Sequence, residues 1–163
     1  AMNAGRFLED VVDASPTSYC IGVAAYPEKH VEAPDLVTDL ARVREKVDLG
    51  AEYIVTQMFF DNDHYFRLVE QCRARGITVP IIPGLKVITT AQHRETLPKL
   101  FHCEIPSALA DAIEDAPERA RDIGIAWAVE QASQLLDRGA PSLHFFVTAS
   151  SSAVDEVLTG IGL

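Results

Sequence analysis

Two hydrophobic rhythms alternate along this chain. Short apolar, β-branched runs of about five residues are followed by longer stretches in which apolar residues recur every three or four positions. The short runs are residues 19–25 (YCIGVAA), 53–58 (YIVTQM), 79–83 (VPIIP) and 143–147 (LHFFV). Each reads as a strand, the first two as buried ones. After the first, Leu36, Leu40, Val43 and Val47 share one helix face, predicting a helix from Pro34, in its first turn, to Leu49. After the second, Tyr65, Leu68, Val69 and Cys72 predict a helix over 63–75. After the third, a loop from Leu85 to Thr90 leads to helices near 91–99, 107–114 and 117–138, the last with Ile123, Trp127 and Leu135 turned inward. A final helix is expected from Ser151 or Ser152, both good N-caps, and residues 6–12 predict a short helix before the turn-rich link 13–17. Gly50, Gly76 and Gly139 each stand where a helix should stop before the next strand.

Strands alternating with helices imply parallel pairing through right-handed crossovers. Two α/β architectures answer to that order: a small doubly wound open sheet, or four βα units forming half of a (β/α)8 TIM barrel. A whole barrel needs roughly 250 residues, and this chain has 163. No G-x-G-x-x-G or Walker A glycine pattern follows any strand, which removes the main reason to prefer a dinucleotide-binding open sheet. Residues 1–163 read as one domain, with 1–18 as an N-terminal link.

Composition narrows the partners. Hydrophobic residues make up 48% of the chain, enough to build a core, and the formal net charge is −10, which argues against nucleic acid. A small anionic cofactor needs only a local positive site. Cys20, Cys72 and Cys103 lack C-x-x-C spacing and fit reduced thiols in a cytoplasmic protein without a zinc site. No apolar run approaches the roughly 18 residues of a membrane span, and the start carries no signal-peptide pattern.

In parallel α/β folds, ligands sit at the carboxyl ends of the strands. Four candidates lie there. After the first strand come Tyr26 and His30, then a helix face carrying Asp39, Arg42 and Lys46. An aromatic ring, an imidazole and cations suit a planar, phosphate-bearing cofactor; the competing reading is a solvated charged face. After the second strand, Gln57 offers an amide and Phe60 a flat ring. Otherwise Gln57 caps a neighbouring backbone group and the aromatics are core. Lys86, after Pro83-Gly84, can meet an anionic substrate tail or stay solvated. His144 shares a strand face with Phe146 and reads as a hydrogen-bonded core residue rather than a catalyst. No metal-ligating cluster and no Ser-His-Asp elbow is apparent, and no residue here is assigned a catalytic role.

The stretches IGVAAYPEKHVEAPDL, REKVDLGAEYIVTQMFFDN, VPIIPGLK, EIP and LHFF together resemble the bacterial methylenetetrahydrofolate reductases, from Cys20 to Leu158. The resemblance implies a TIM barrel binding FAD at the carboxyl ends of its strands. It implies reduction of 5,10-methylenetetrahydrofolate to 5-methyltetrahydrofolate, the flavin taking hydride from NAD(P)H and handing it to the folate. By motif, Tyr26, His30, Ala33, Asp39 and Lys46 match FAD contacts, with Arg42 on the same helix face. Gln57 matches the glutamine that binds the pterin, and Phe60 lies near it. Glu45, Val87, Leu97, Phe146 and the 147–150 segment depart from the family pattern. The family's proposed general-acid glutamate and its flavin-side aspartate belong to earlier βα units and map to nothing here. The chain therefore reads as the C-terminal half of such a barrel, inactive alone. The partner expected for its two outer strands is an N-terminal half-barrel or a second copy.

Overall fold

The computed structural model describes Leu8 and residues 10–13, 19–148 and 150–163. Four strands, β1 (Gly22–Ala25), β2 (Tyr53–Met58), β3 (Ile81–Leu85) and β4 (His144–Phe145), form one sheet in the order β1-β2-β3-β4. Every pair is parallel. The helices are α1 (Leu36–Asp48), α2 (Asn62–Ala74), α3 (His93–Phe101), α4 (Ser107–Asp115), α5 (Ala120–Asp137, entered through a 3-10 turn at Pro117–Arg119) and α6 (Ser152–Gly160). Strand order that follows the sequence, without a switch point, is the arrangement of half a (β/α)8 barrel and not of a doubly wound sheet.

The core explains the one-sidedness. Ala25, Ile54, Ile81 and Leu85 project from the strands into one cluster with Leu40 and Val43 of α1, Leu68 and Cys72 of α2, Ala132 and Leu135 of α5 and Val157 of α6. All of these are buried. Alternate positions on the same strands point the other way. Along β2, Tyr53, Val55 and Gln57 are only half-buried while Ile54, Thr56 and Met58 are buried. The helices thus cover one face and leave the other open. A second cluster, with Met58, Phe60, Ile88, Leu97, Leu109 and Ile113, sits beyond the strand ends under α3 and α4.

Gly50, Gly76 and Gly139 end α1, α2 and α5 at φ of 108°, 74° and 89°, a region nearly closed to residues with a Cβ. Elsewhere the boundaries differ from expectation. Asp35 caps α1, its carboxylate accepting from the Thr38 N–H at 2.7 Å, so Pro34 lies before the cap and not in the first turn. β3 runs to Leu85, two residues beyond the expected end, and β4 keeps only two residues, pairing on one side alone among the described residues. β1 likewise starts at Gly22, since its outer edge meets no strand among the described residues. Ser151 precedes α6 without a side-chain cap; the Ser150 hydroxyl accepts from the Ser152 N–H instead. Of the predicted helix 6–12, Leu8 and residues 10–12 are helical, and Asp13, expected to open the link 13–17, continues that helix; the remainder of both lies outside the described residues.

Candidate functional site

β2 carries the site's centre. Its pairing with β3 slips by one residue between Val55 and Met58. At the slip, the Thr56 hydroxyl takes the place of a ladder carbonyl and accepts from the Gly84 N–H at 2.9 Å. Such bulges turn the strand and re-aim the next side chain. Here that side chain is Gln57, whose Oε1 accepts from the Met58 N–H at 2.9 Å. That bond fixes the amide, so Nε2 is the end offered to a ligand. The capping reading of Gln57 is therefore met by one end of the side chain and not by the other.

The loop beyond is bolted to α5. Gln131, itself buried, donates to the Phe59 carbonyl at 3.0 Å, and the Trp127 indole donates to that of Phe60 at 3.0 Å. Asn62 donates to the Gln131 carbonyl at 3.1 Å. Gly124 allows α5 to come close: a Cβ there would lie 1.9 Å from the Ile88 carbonyl oxygen. Phe60 is 2% exposed, so its ring belongs to the second core cluster and is not a flat surface offered to a ligand. Leu97, one of the departures from the family pattern, is buried in the same cluster.

The Tyr26 and His30 rings meet edge to face with centroids 4.4 Å apart. His30 is held by its backbone, whose N–H donates to Asp39 Oδ2 at 2.8 Å; its Nδ1 accepts from the Glu32 N–H at 3.1 Å, which leaves Nε2 free of that role. Asp39 is 7% exposed, so the charged face of α1 is not simply solvated. Lys46 leans to the end of β1, with Nζ 3.4 Å from the Ala24 carbonyl. Burial lowers its pKa, and Asp39 opposes that shift. Burial, with Asp39 and Glu32 adding, raises that of Tyr26. Arg42 is exposed, and Ala33 is buried behind the loop.

Tyr26 and Gln57 meet in a cleft of about 300 Å³ on the open face, with Tyr53, Val55 and Phe146 in its walls. Aromatic rings lie directly on glycines here. A Cβ on Gly22 would be 2.2 Å from the Tyr53 ring, and one on Gly84 would be 2.7 Å from that of Phe146. Phe146 also walls a neighbouring cleft of about 310 Å³ containing Lys86, His93 and Arg121. Lys86 Nζ donates to the Phe146 carbonyl at 3.1 Å, and burial lowers its pKa. Burial, with Lys86 adding, also lowers that of His93, a residue that no pattern in the sequence singles out. His144 is exposed and packs edge to face on Phe146 at 4.7 Å, so the core reading of it fails: the open face gives it nothing to be buried under.

Tyr26, Gln57, Lys86 and Phe146 thus share the carboxyl rim, with His30 against Tyr26. Among the described residues, no carboxyl group lines the cleft that joins Tyr26 to Gln57. Glu28 is equally silent in the sequence; its carboxylate accepts from the Glu104 N–H at 2.8 Å, 76 residues away, and no local pattern announces such a pair.

Comparison with known proteins bears on the fold and the family. In structure, the chain is similar to a Clostridium thermocellum protein described as binding two copies of 5-methyl-5,6,7,8-tetrahydrofolic acid. The TM-score is 0.67 at 16% identity, covering 98% of this chain and 58% of that one. At that identity the likeness speaks for the fold. In sequence, it is 34% identical to a probable methylenetetrahydrofolate reductase (NADPH) of Caenorhabditis elegans over 89% of its length. It is 42% identical to methylenetetrahydrofolate reductase 2 of Saccharomyces cerevisiae over 78% of its length, and 32% identical to 5,10-methylenetetrahydrofolate reductase of Pectobacterium carotovorum over 77%. It spans 22% of the first two relatives and 43% of the third. The family model for methylenetetrahydrofolate reductase matches residues 7–162, and with the parallel βα units and their common rim this places the chain in the methylenetetrahydrofolate reductase family.

Proposed function

We propose that this chain supplies the flavin- and folate-binding rim of an enzyme that reduces 5,10-methylenetetrahydrofolate to 5-methyltetrahydrofolate with NAD(P)H as hydride donor. The observation that carries the reading is the cleft in which Tyr26 and Gln57 face one another across small residues at Gly22 and Ala24. FAD fits the groups present. Tyr26 with His30 offers an aromatic wall, and Lys46 at the strand end suits a phosphate. When bound, the flavin supplies the hydride-carrying chemistry between nicotinamide and folate.

The chain's own residues bind and orient. Gln57, with Oε1 already engaged, presents Nε2 as a donor to an acceptor on the pterin edge. Lys86 and His93, one cleft away, suit the anionic tail of a folate. Phe146 separates the two clefts with an apolar ring that holds water away from the pterin side. Asp39 does not touch the cofactor in this scheme; it holds the His30 backbone. A flavin titration by fluorescence quenching tests the assignment. Tyr26→Ala and Lys46→Ala should each weaken FAD roughly tenfold, the equivalent of one lost interaction of about 1.4 kcal/mol; unchanged affinity in both would overturn it.

A second reading is a half-barrel that binds flavin, or simply pairs with another subunit, without turnover. It is favoured by the outer edges of β1 and β4, which meet no strand among the described residues, and by a cleft that those residues line without a carboxyl group to act as acid. The chain alone should then show no NADH–menadione oxidoreductase activity, and should gain FAD and activity when mixed with four further βα units. Robust turnover by the chain alone would rule this out.

A further inference from the structure

A cleft of about 460 Å³ lies outside the strands, between α1, α2 and the linker from Cys103 to Pro106. Glu28 lies on its wall, two residues beyond Tyr26 and two before His30. One carboxyl oxygen, Oε2, accepts from the Glu104 N–H; the other, Oε1, is buried and has no partner among the described residues. We propose that Glu28 is a positioning residue whose carboxyl latches the Tyr26–His30 loop onto the Cys103–Pro106 linker and so sets the seat of the flavin. This rests on the reading of Tyr26 and His30 as flavin contacts.

On balance the closed latch favours a neutral carboxyl: burial outweighs the pull of the latch's own bond from the Glu104 N–H, which by itself favours the ionised form. A buried, unpaired oxygen tolerates a proton better than a full negative charge. Asp61, at the start of α2, and Glu104, on the linker, repel an ionised Glu28 from two sides. The Cys103 thiol is buried against it, and its own pKa is pushed up to about 11 by burial first and by Glu28 second. On the remaining walls stand Lys29 of the same loop, His64 and Arg67 of α2, and His102 at the end of α3. The Arg67 guanidinium is engaged with His64 Nδ1 at 2.8 Å, and the Lys29 ammonium with the Ala33 and His30 carbonyls. The sum leaves Glu28 raised to about 7, with burial the largest cause.

Linkage then gives the sign. Whatever favours the proton when the latch is closed also drives the latch open when the proton leaves. Raising pH through 7 should loosen the linker, free the Tyr26–His30 loop and weaken flavin binding.

The experiment uses the full chain labelled with ¹⁵N, without flavin, from pH 5.5 to 8.5. The backbone amides of Glu104, Tyr26 and His30 should shift with one common midpoint near 7. In Glu28→Gln, which keeps the acceptor but not the charge, the component shared by the three amides with a midpoint near 7 should vanish. Asp61→Asn, which keeps an N-cap for α2, should move the midpoint to lower pH and serves if the glutamine variant does not fold. In parallel, FAD affinity of the unsubstituted chain should fall roughly three- to tenfold from pH 6 to pH 8, one unit of pKa corresponding to a factor of ten. That fall should be absent in Glu28→Gln. A Glu104 amide that titrates while Tyr26 and His30 stay still, or that titrates unchanged in both variants, would overturn the latch. A chain that holds no FAD at any pH, yet shows the coupled amide shifts, would sink the flavin reading and leave the latch standing.

Discussion

The two faces of the same four strands have been put to different uses. On the helix side, Ile54, Ile81, Leu85 and Ala25 are close to fully buried, and each touches helices that arrive from distant parts of the chain. On the open side, Tyr53, Val55, Gln57 and Phe146 keep partial exposure, and the Tyr53 and Phe146 rings lean on Gly22 and Gly84. Period-two alternation writes both faces into each strand at once. The lesson is that stability and recognition are separable here by residue parity: neighbours in sequence answer to different demands.

Substitutions can break or sharpen that contrast. The largest effect belongs to the covered side. Leu85→Ala should cost about 2–5 kcal/mol, seen as a lower urea midpoint, while the chain that remains folded keeps its affinity for FAD. Next comes the seam between the faces. Gly84→Ala would place a Cβ 2.2 Å from the Thr56 carbonyl oxygen, and overpacking of this kind costs about 1–3 kcal/mol or more. It should lower the urea midpoint and ligand affinity together. If it moves only one of them, the two faces are less tightly joined than the Thr56–Gly84 hydrogen bond implies.

A smaller change tests the covered side alone. The Tyr65 hydroxyl, its pKa pushed up to about 12 by burial, donates to the Ile81 carbonyl at 2.8 Å. Tyr65→Phe should cost about 1 kcal/mol and leave flavin binding untouched. Gln57→Ala makes the converse test on the open face. Stability should change by less than about 0.5 kcal/mol, while folate affinity drops by roughly tenfold, one lost hydrogen bond to a ligand being worth about 1.4 kcal/mol. A loss of stability larger than the loss of affinity would return Gln57 to a structural role.

The smallest effect is in pH. Glu28 has a folded pKa raised above its ordinary value, so its contribution to stability is complete below about 4.5 and is lost as pH rises through about 7. The difference in urea midpoint between the unsubstituted chain and Glu28→Gln should therefore shift in favour of the variant between those limits. A difference that is flat with pH would remove Glu28 from the account.

Much of this layout was legible in the sequence because it is local. Strand runs, helix faces and the three terminating glycines each depend on residues a few positions apart. The alternation also implied the parallel order and hence the shared rim of Tyr26, Gln57 and the loop after Gly84. What escaped was non-local. Gln131 reads as one more polar residue on a helix, until its amide is seen bonding Phe59 from 72 positions away. Gly124 looks like a weak point in α5; it is the place where the Ile88 backbone needs room. His144 failed as a core residue for a similar reason. Its neighbours in sequence suggest burial, but nothing in a single strand tells which face lacks a cover. The charged run on α1 was resolved only by direction: Asp39 and Lys46 turn to the β1 end, and Arg42 turns to solvent.

Of the three cysteines, Cys72 and Cys103 are buried while Cys20 is exposed, two residues ahead of β1, at the margin of the sheet that meets no strand among the described residues. A maleimide dye should therefore couple at one place without any engineering. Its colour and mobility would report directly whether another chain has come to lie along that margin.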